Sequence, residues 1–286
     1  MMTSLKTLWI RSPFMLLLFS SIIFAISCSS DSEMLVEEIL QEDSTMDQNE
    51  DSADDTSGED TSGEDTSGGD GTVSNNCPDG GTTFFSESNG LISVEFENSS
   101  FNGDWELRND VDDVSGDGYM VWTGQQRLNQ PGEGKATFLI EIKTTGTYQF
   151  LWKSAFRMGD NGTEHNDSWL RFPDADDFFG EKGNGSIVYP KGTGKEPNPE
   201  GSSSDGWFKI YRSGNNASFV WQARTSDNDA HDIFVTFSEE GIYTMEVSAR
   251  SSFHGIDRFL LFNKDSFTRQ EALGMADSFS AQSDCN

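Results

Sequence analysis

Glu95 and Glu97 stand two residues apart in the run Ile92-Ser93-Val94-Glu95-Phe96-Glu97. On a β-strand that spacing puts both carboxylates on one face. Held together, they repel unless a cation or a proton sits between them. Calcium takes six to eight hard oxygen ligands and suits such a pair, completed by carbonyls from a nearby loop. The alternative is that both acids face solvent or pair with Arg258. An ion held here would be structural rather than catalytic.

A second constellation runs Thr163-Glu164-His165-Asn166-Asp167-Ser168-Trp169-Leu170-Arg171, with Arg157 before it and Asp174-Ala175-Asp176-Asp177 after it. An indole beside amide and carboxylate groups is what sugar binding needs. The aromatic face covers the C–H face of a pyranose, and planar polar side chains read its hydroxyls. Arg157, His165, Asn166, Asp167, Trp169 and Arg171 are therefore the candidate ligand residues, with Trp122, Trp221 and His254 as further ones. Trp207 and His231 are of the same kind. Each tryptophan can equally serve the core, and Phe150 and Trp152, two apart on an alternating run, are expected to share the core face. Guanidinium forks would suit a carboxylated or sulfated glycan. The tryptophan content suits a neutral one equally well, and the two readings stay open.

Catalysis has less to stand on. A retaining glycosidase needs two carboxylates about 5 Å apart across a cleft, a distance Glu95 and Glu97 could meet. A lyase needs a Tyr or His base with a group neutralising the uronate, and His165, Arg157, Arg171 and Tyr189 are the residues available. The sequence has neither a Gly-x-Ser-x-Gly elbow nor a His-Glu-x-x-His pair. A non-catalytic binding protein is the expectation, with an adhesion module or a jelly-roll lyase or hydrolase as alternatives.

These residues must be positioned by strands. Alternating runs occupy Leu91–Glu97, Ala136–Ile142, Tyr148–Phe156, Trp207–Tyr211, Ser218–Gln222, Ile233–Phe237, Tyr243–Ala249 and Arg258–Phe262. Gly, Asn, Asp and Pro clusters separate them, and no sustained helical period intervenes. Many antiparallel strands with long polar connections argue an all-β fold, an antiparallel β-sandwich of jelly-roll type. The stretch from Asp174 to Gly206 reads as one long loop.

Charge divides the chain. It carries 19 basic and 49 acidic residues in all, net −30. Residues 29–83 contain 17 acids and no base, and residues 84–270 contain 29 acids against 17 bases, net −12. Nucleic acid is an unsuitable partner for such a surface. Three repeats, Asp55-Thr-Ser-Gly-Glu59, Asp60-Thr-Ser-Gly-Glu64 and Asp65-Thr-Ser-Gly-Gly69, lie in a stretch too polar to offset its own ordering entropy. Residues 28–83 are expected to be an acidic disordered linker, a flexible stalk, the alternative being an acidic interaction tail or calcium sponge. The sandwich is assigned to 84–267 and a C-terminal tail to 268–286.

The first 27 residues carry Lys6 and Arg11 and an apolar run from Phe14 to Ile26, the pattern of an export signal. The segment Ala25-Ile26-Ser27-Cys28 resembles the lipobox of bacterial lipoproteins. That resemblance implies cleavage before Cys28, lipidation of its sulfur and attachment to a membrane. The acidic residues that follow resemble surface-export signals of Gram-negative lipoproteins, which implies the outer membrane and the cell surface. With Cys28 taken by lipid, Cys77 and Cys285 remain. In an oxidising setting they are expected to form a disulfide, the alternative being two free thiols in frayed ends.

Ile92-Ser-Val-Glu95-Phe-Glu97-Asn98 resembles the opening strand of carbohydrate-binding modules of families 6 and 35. Thr145-Gly-Thr-Tyr148-Gln-Phe-Leu-Trp152 and Glu240-Gly241-Ile-Tyr243-Thr-Met-Glu-Val247 are similar to two later strands of that fold, and His254-Gly-Ile256-Asp257-Arg-Phe-Leu260 resembles its closing strand. The resemblance implies a polysaccharide ligand and a structural calcium held by Glu95 and Glu97 with Asp257. A surface lipoprotein of this kind would capture glycan for neighbouring outer-membrane uptake proteins. The insertion at 160–206 departs from the family pattern, so loop residues do not carry over.

Overall fold

A computed structural model describes residues 77–285. The export segment, Cys28 and the linker up to residue 76 lie outside the described residues. Strands β1 to β6 are Thr83–Ser86, Leu91–Glu95, Trp105–Arg108, Tyr119–Trp122, Ala136–Ile142 and Gly146–Phe156. Strands β7 to β11 are Asp167–Arg171, Asp177–Glu181, Ile187–Val188, Ser202–Ser203 and Trp207–Tyr211. Strands β12 to β17 are Val220–Trp221, Arg224–Thr225, His231–Phe237, Gly241–Ser248, His254–Asn263 and Gln282–Asp284, and helix α1, Arg269–Gly274, lies between the last two.

The pairings give two layers. In the first, β16 lies between β6 on one side and β2 and β4 on the other, and β6 is followed by β14 and β8. In the second the order is β17, β1, β5, β15, β7, β11. Strand β13 pairs with both β11 and β14 and joins the layers at one corner. All pairs are antiparallel except β1 with β5. The expected antiparallel β-sandwich is the fold observed.

Alternation explains how the layers close. Phe138, Ile140, Met245, Val247, Leu170, Phe208 and Ile210 from the second layer meet Ile92, Val94, Phe150, Trp152, Ile233, Val235, Phe259 and Leu261 from the first. Phe150 and Trp152 are fully buried, as their spacing predicted. Burying an aromatic ring of this size stabilises by roughly 1.5–3 kcal/mol against leaving it exposed.

The two outer faces differ. On the first layer, Leu91, Leu151, Leu260 and Phe262 form a second apolar cluster with Ala272 and Ala276. Helix α1 covers them. Thr268 caps it by accepting from the Glu271 N–H, and the Glu271 carboxylate accepts from the Thr268 N–H, two orphan donors satisfied at once. The segment 268–286 is thus no free tail: it carries this helix and then β17, which pairs with β1. Its helix is too short to show a period in sequence. The expected disulfide is present, joining Cys77 to Cys285 with Cα atoms 5.7 Å apart. The outer face of the second layer is left to loops and polar side chains.

Two further expectations change. The stretch 174–206 is no single loop, because β8, β9 and β10 lie within it and β8 pairs along β14. Strand β2 ends at Glu95, where the Asn98 N–H turns back to the Glu95 carbonyl, so Glu97 stands just past the strand.

Candidate functional site

The acid cluster is assembled from three places. Glu95 ends β2 and Glu97 follows in the turn. Asp257 comes from β16, where the register with β6 slips between Ile256 and Arg258. A bulge of this kind re-aims one side chain, and here it brings Asp257 against the connection before β4. Ser115 donates its N–H to Asp257 Oδ1 at 2.9 Å and its hydroxyl to Glu95 Oε2 at 2.9 Å. The Asp117 N–H donates to Glu97 Oε1 at 2.8 Å. Gly116, with φ of 59°, closes this loop over the acids; a Cβ there would run into the Glu97 and Glu95 carboxyl groups.

Burial pushes the Glu95 carboxyl up to about 7, and the negative charges of Glu97 and Asp257 add to the rise. Burial also raises Glu97 and Asp257. Lys153 Nζ lies 3.2 Å from Asp257 Oδ2 and offsets part of the charge. Glu97 Oε2 is buried without a hydrogen-bond partner among the described residues. A cavity of about 350 Å³ lined by Glu95, Asn98, Ser115, Gly116 and Phe279 opens beside the cluster. Among the described residues no three His, Cys, Asp or Glu side chains form a ready metal cage. The donors are nevertheless of the kind a hard cation takes: oxygens, in negative excess, one of them orphaned.

The second feature is the outer face of the second layer. Register places Thr137 of β5 opposite Glu246 of β15, and Glu246 opposite Arg171 of β7. The Arg171 guanidinium lies over the Trp207 ring of β11, 4.5 Å from its centroid. Glu246 is buried and bonds both Lys135 and Arg171. In the next row Ser248, Trp169 and Lys209 are cross-strand neighbours. Beyond them Asp167 bonds Arg250, and Lys209 donates to Asp227 at 2.7 and 2.6 Å.

Two cavities flank this row of side chains. One of about 730 Å³ lies where the first half of β5 has no neighbour on the β1 side. Gly80–Thr83, Asn98–Ser100, Asn102, Lys135, Thr137, Glu97 and Glu246 line it. The other, about 430 Å³, lies under the 191–206 loop and is lined by Arg171, Asp176, Asp177, Thr193, Lys195 and Asp205. Glu246 lines the first, Arg171 the second, and the two are bonded to each other. That pair stands between the two cavities on the outer face of β15 and β7.

The structure distributes the sequence candidates unevenly. Asp167, Trp169 and Arg171 share the outer face of β7. Of these only Arg171 lines a cavity, the one under the 191–206 loop. Trp169 is 2% exposed, donates its indole N–H to the Arg127 carbonyl at 3.0 Å and lies under the Arg250 guanidinium. It offers no open ring to a sugar, which corrects the expectation of a stacking plate there. His165 and Asn166 are buried before β7, His165 against the Ser252 carbonyl at 2.6 Å and Asn166 donating to the Arg212 carbonyl. Arg157 is elsewhere, bound to Tyr119 and lying over its ring. Trp122 is buried against Trp105 with its N–H on the Gln125 carbonyl. Trp221 packs on the helix-covered face beneath Arg258. His254 is fully buried beside Trp152, and desolvation lowers its pKa to about 3, so it stays neutral. All seven of these side chains, Trp169 included, are engaged within the protein.

Sequence reasoning did not single out Thr137, Lys135, Glu246 or the Asn98–Asn102 turn. The signal for two of them was available: in Ala136–Ile142 and Tyr243–Ala249 the alternation that points Phe138 and Val247 inward points Thr137 and Glu246 outward.

One arrangement resembles a hydrolytic relay and fails on geometry. Ser186 Oγ is 3.1 Å from His231 Nε2, and Asp229 flanks the ring. Yet His231 Nδ1 bonds the Asp229 main-chain carbonyl at 2.6 Å, the Asp229 carboxylate is 3.9 Å away, and the imidazole is wholly covered. A general base must reach its proton in a pose that also admits substrate, and this covered ring instead ties the turn between β8 and β9 to β14.

No family model matches the chain, and no curated protein matches it. Among solved structures, the Podospora anserina GH26-CBM35 β-(1,4)-mannanase is similar over 64% of this chain, with 16% identity and a TM-score of 0.37. The match spans only 29% of that enzyme. Xyl-CBM35 in complex with a glucuronic acid containing disaccharide is similar over 60% of this chain and 93% of its own, with 12% identity and a TM-score of 0.34. A CBM35 from Cellvibrio japonicus Abf62 covers the same shares, with 11% identity and a TM-score of 0.33.

Proposed function

We propose that this chain is a non-catalytic polysaccharide-binding protein, and that the two cavities act as one groove across β5, β15 and β7 in which the ligand lies. The observation that carries this reading is the lining. Asn98, Ser100, Asn102, Thr82, Thr83 and Thr137 put amides and hydroxyls along one wall, and these are the groups that exchange hydrogen bonds with sugar hydroxyls in both directions. A volume of about 730 Å³ is of the size that holds a small ligand or part of a chain. Trp169 and Trp207 lie under Arg250 and Arg171, so recognition rests on hydrogen bonds rather than on an open indole.

The remainder of the proposal comes from the sequence. Lipidation at Cys28 and the acidic stalk would tether the domain at the outer membrane, facing out, where it captures glycan for uptake proteins. Glu95, Glu97 and Asp257 would hold one calcium ion. When bound, it would neutralise the cluster and fix the 113–117 loop.

The test is a glycan array on the mature chain with Cys28→Ala, followed by calorimetry with the best ligand. Asn102→Ala and Thr137→Ala, both at exposed positions, should each lower affinity several-fold without moving the melting temperature. Absence of binding to any polysaccharide, or affinity indifferent to both changes, refutes the groove. Release of shortened product from a bound glycan refutes the non-catalytic reading.

A further inference from the structure

We infer that the groove selects an uncharged glycan chain, and that Glu246 is the residue that sets this selection. The inference rests on the glycan reading above and concerns the class of ligand.

Three cations line the groove, and each is already engaged. Lys135 and Arg171 both bond Glu246. Lys195 Nζ is 2.8 Å from Asp177 Oδ1. Arg171 is committed further: its face covers Trp207 and one terminal nitrogen donates to the Asp205 carbonyl at 3.1 Å. A guanidinium that binds a carboxylate or sulfate edge-on needs a free pair of donors, and the Nε edge here is spent on Glu246. Acids outnumber these cations. Glu97, Asp176, Asp177, Asp205 and Glu246 all line the two cavities. Hydrogen bonds from the Ser238 N–H and hydroxyl hold Asp176 ionised, its pKa lowered. Even with a calcium ion taking up the charge of Glu97, the groove keeps more negative charge than positive. The sandwich around it is net negative as well.

A glycan with a carboxylate or sulfate on every second or third residue would bring like charge into this groove and find no free cation. An uncharged chain meets no such penalty. Glu246 decides the balance because it is buried at 4% exposure and ties down two cations at once, one from each cavity. Removing its charge, and nothing else, would release both for an anionic ligand.

The experiment measures binding of the mature Cys28→Ala chain to neutral polymers (glucan, mannan, xylan and galactan) and to acidic ones (polygalacturonate, alginate and a sulfated galactan). Calorimetry is run at about 50 and about 500 mM sodium chloride, on either side of the salt range where exposed charges are screened. The expected result is binding to a neutral polymer with affinity changing less than about twofold between the two salts, and none to the acidic ones. Glu246→Gln should gain affinity for an acidic polymer, and that gain should vanish at high salt. Because Glu246 is buried, circular dichroism must first show the variant folded. Asp177→Asn, at a half-exposed position, frees Lys195 independently and should shift preference in the same direction. Native binding to an acidic polymer, tighter than to any neutral one and weakened by salt, overturns this inference while leaving glycan binding intact. So does a neutral preference that neither substitution alters. Failure to bind any polymer overturns the glycan reading itself.

Discussion

If Glu95, Glu97 and Asp257 hold the proposed calcium, removing it should destabilise the folded domain by an amount the acid cluster sets. Glu95 is raised from an ordinary 4.5 to about 7, chiefly by burial and then by the charges of Glu97 and Asp257. A rise of that size corresponds to about 3 kcal/mol against ionised Glu95 in the folded state. Its sign fixes the pH window. An acid whose folded pKa is raised contributes its full share of stability when protonated, below about pH 4.5, and that share is lost as pH rises through about 7. A bound calcium would hold Glu95 ionised without that loss. In chelator, the melting temperature should therefore fall between about pH 5 and pH 8, while with calcium present it should change little over the same range. For a domain of this size each kcal/mol moves the midpoint by about 2–4 °C, so the gap at pH 8 should be on the order of 6–12 °C and should narrow toward pH 5. Differential scanning calorimetry with EGTA and with added calcium measures it directly. A midpoint at pH 8 indifferent to chelation, with no ion in elemental analysis, refutes the metal. A pH dependence unaffected by calcium would mean that protons and Lys153 alone balance the cluster.

Trp169→Ala should destabilise the fold by about 3–5 kcal/mol, the usual cost of deleting a buried large aromatic, and denaturant unfolding should show this. A selective loss of glycan affinity at unchanged stability would contradict the burial of its ring. Cys285→Ser should lower stability by at most about 5 kcal/mol, from the chain-entropy estimate for so long a loop. It should also weaken glycan binding, because Pro78, Gly80 and Gly81 beside the disulfide line the larger cavity; intact-mass alkylation and calorimetry read the two effects. Cys28→Ala should move the protein from the membrane fraction to the soluble one, and retention in membranes would refute lipidation at that residue.

The fold was legible where strands are half-buried. The runs predicted at Ala136–Ile142 and Trp207–Tyr211 match β5 and β11 to the residue, since each alternates an inward apolar set with an outward polar or aromatic one. Strand β7 was hidden because only Leu170 points inward with full apolar character, and the rest of Asp167–Arg171 reads as polar loop. Strand β8 was hidden by its acids and Gly180. The Cys77–Cys285 pairing needed only a count. The acid pair was legible from its spacing, but the bulge that delivers Asp257 depends on pairing between β16 and β6, about a hundred residues apart. Trp169 read as an open plate because what buries it, the Arg127 carbonyl and Arg250, comes from segments 42 and 81 positions away. Glu246 was unremarkable in sequence for the same reason, its two partners lying just before β5 and on β7.

The sandwich resolves its two outer faces in opposite ways, and this places the groove. On the first layer Leu91, Leu151, Leu260 and Phe262 present apolar surface that water would penalise, and α1 with its capped start is laid over them. That face is closed by the chain itself, with Trp221 and Arg258 enclosed. On the second layer one outward row of β5, β15 and β7 is Thr137, Glu246 and Arg171, polar side chains that need no apolar cover, with Glu246 and Arg171 bonded across the strands. Loops can then stand off from them and leave the two cavities open. The alternation that builds the core thus also decides which face remains open to a ligand. Glu97 connects that face to the acid cluster: its Oε1 accepts from the 113–117 loop, its Oε2 is unsatisfied, and its side chain lines the larger cavity. An ion that ordered Glu97 would therefore order the lining of the larger cavity as well, so the proposed calcium would bear on the proposed glycan binding without touching the glycan.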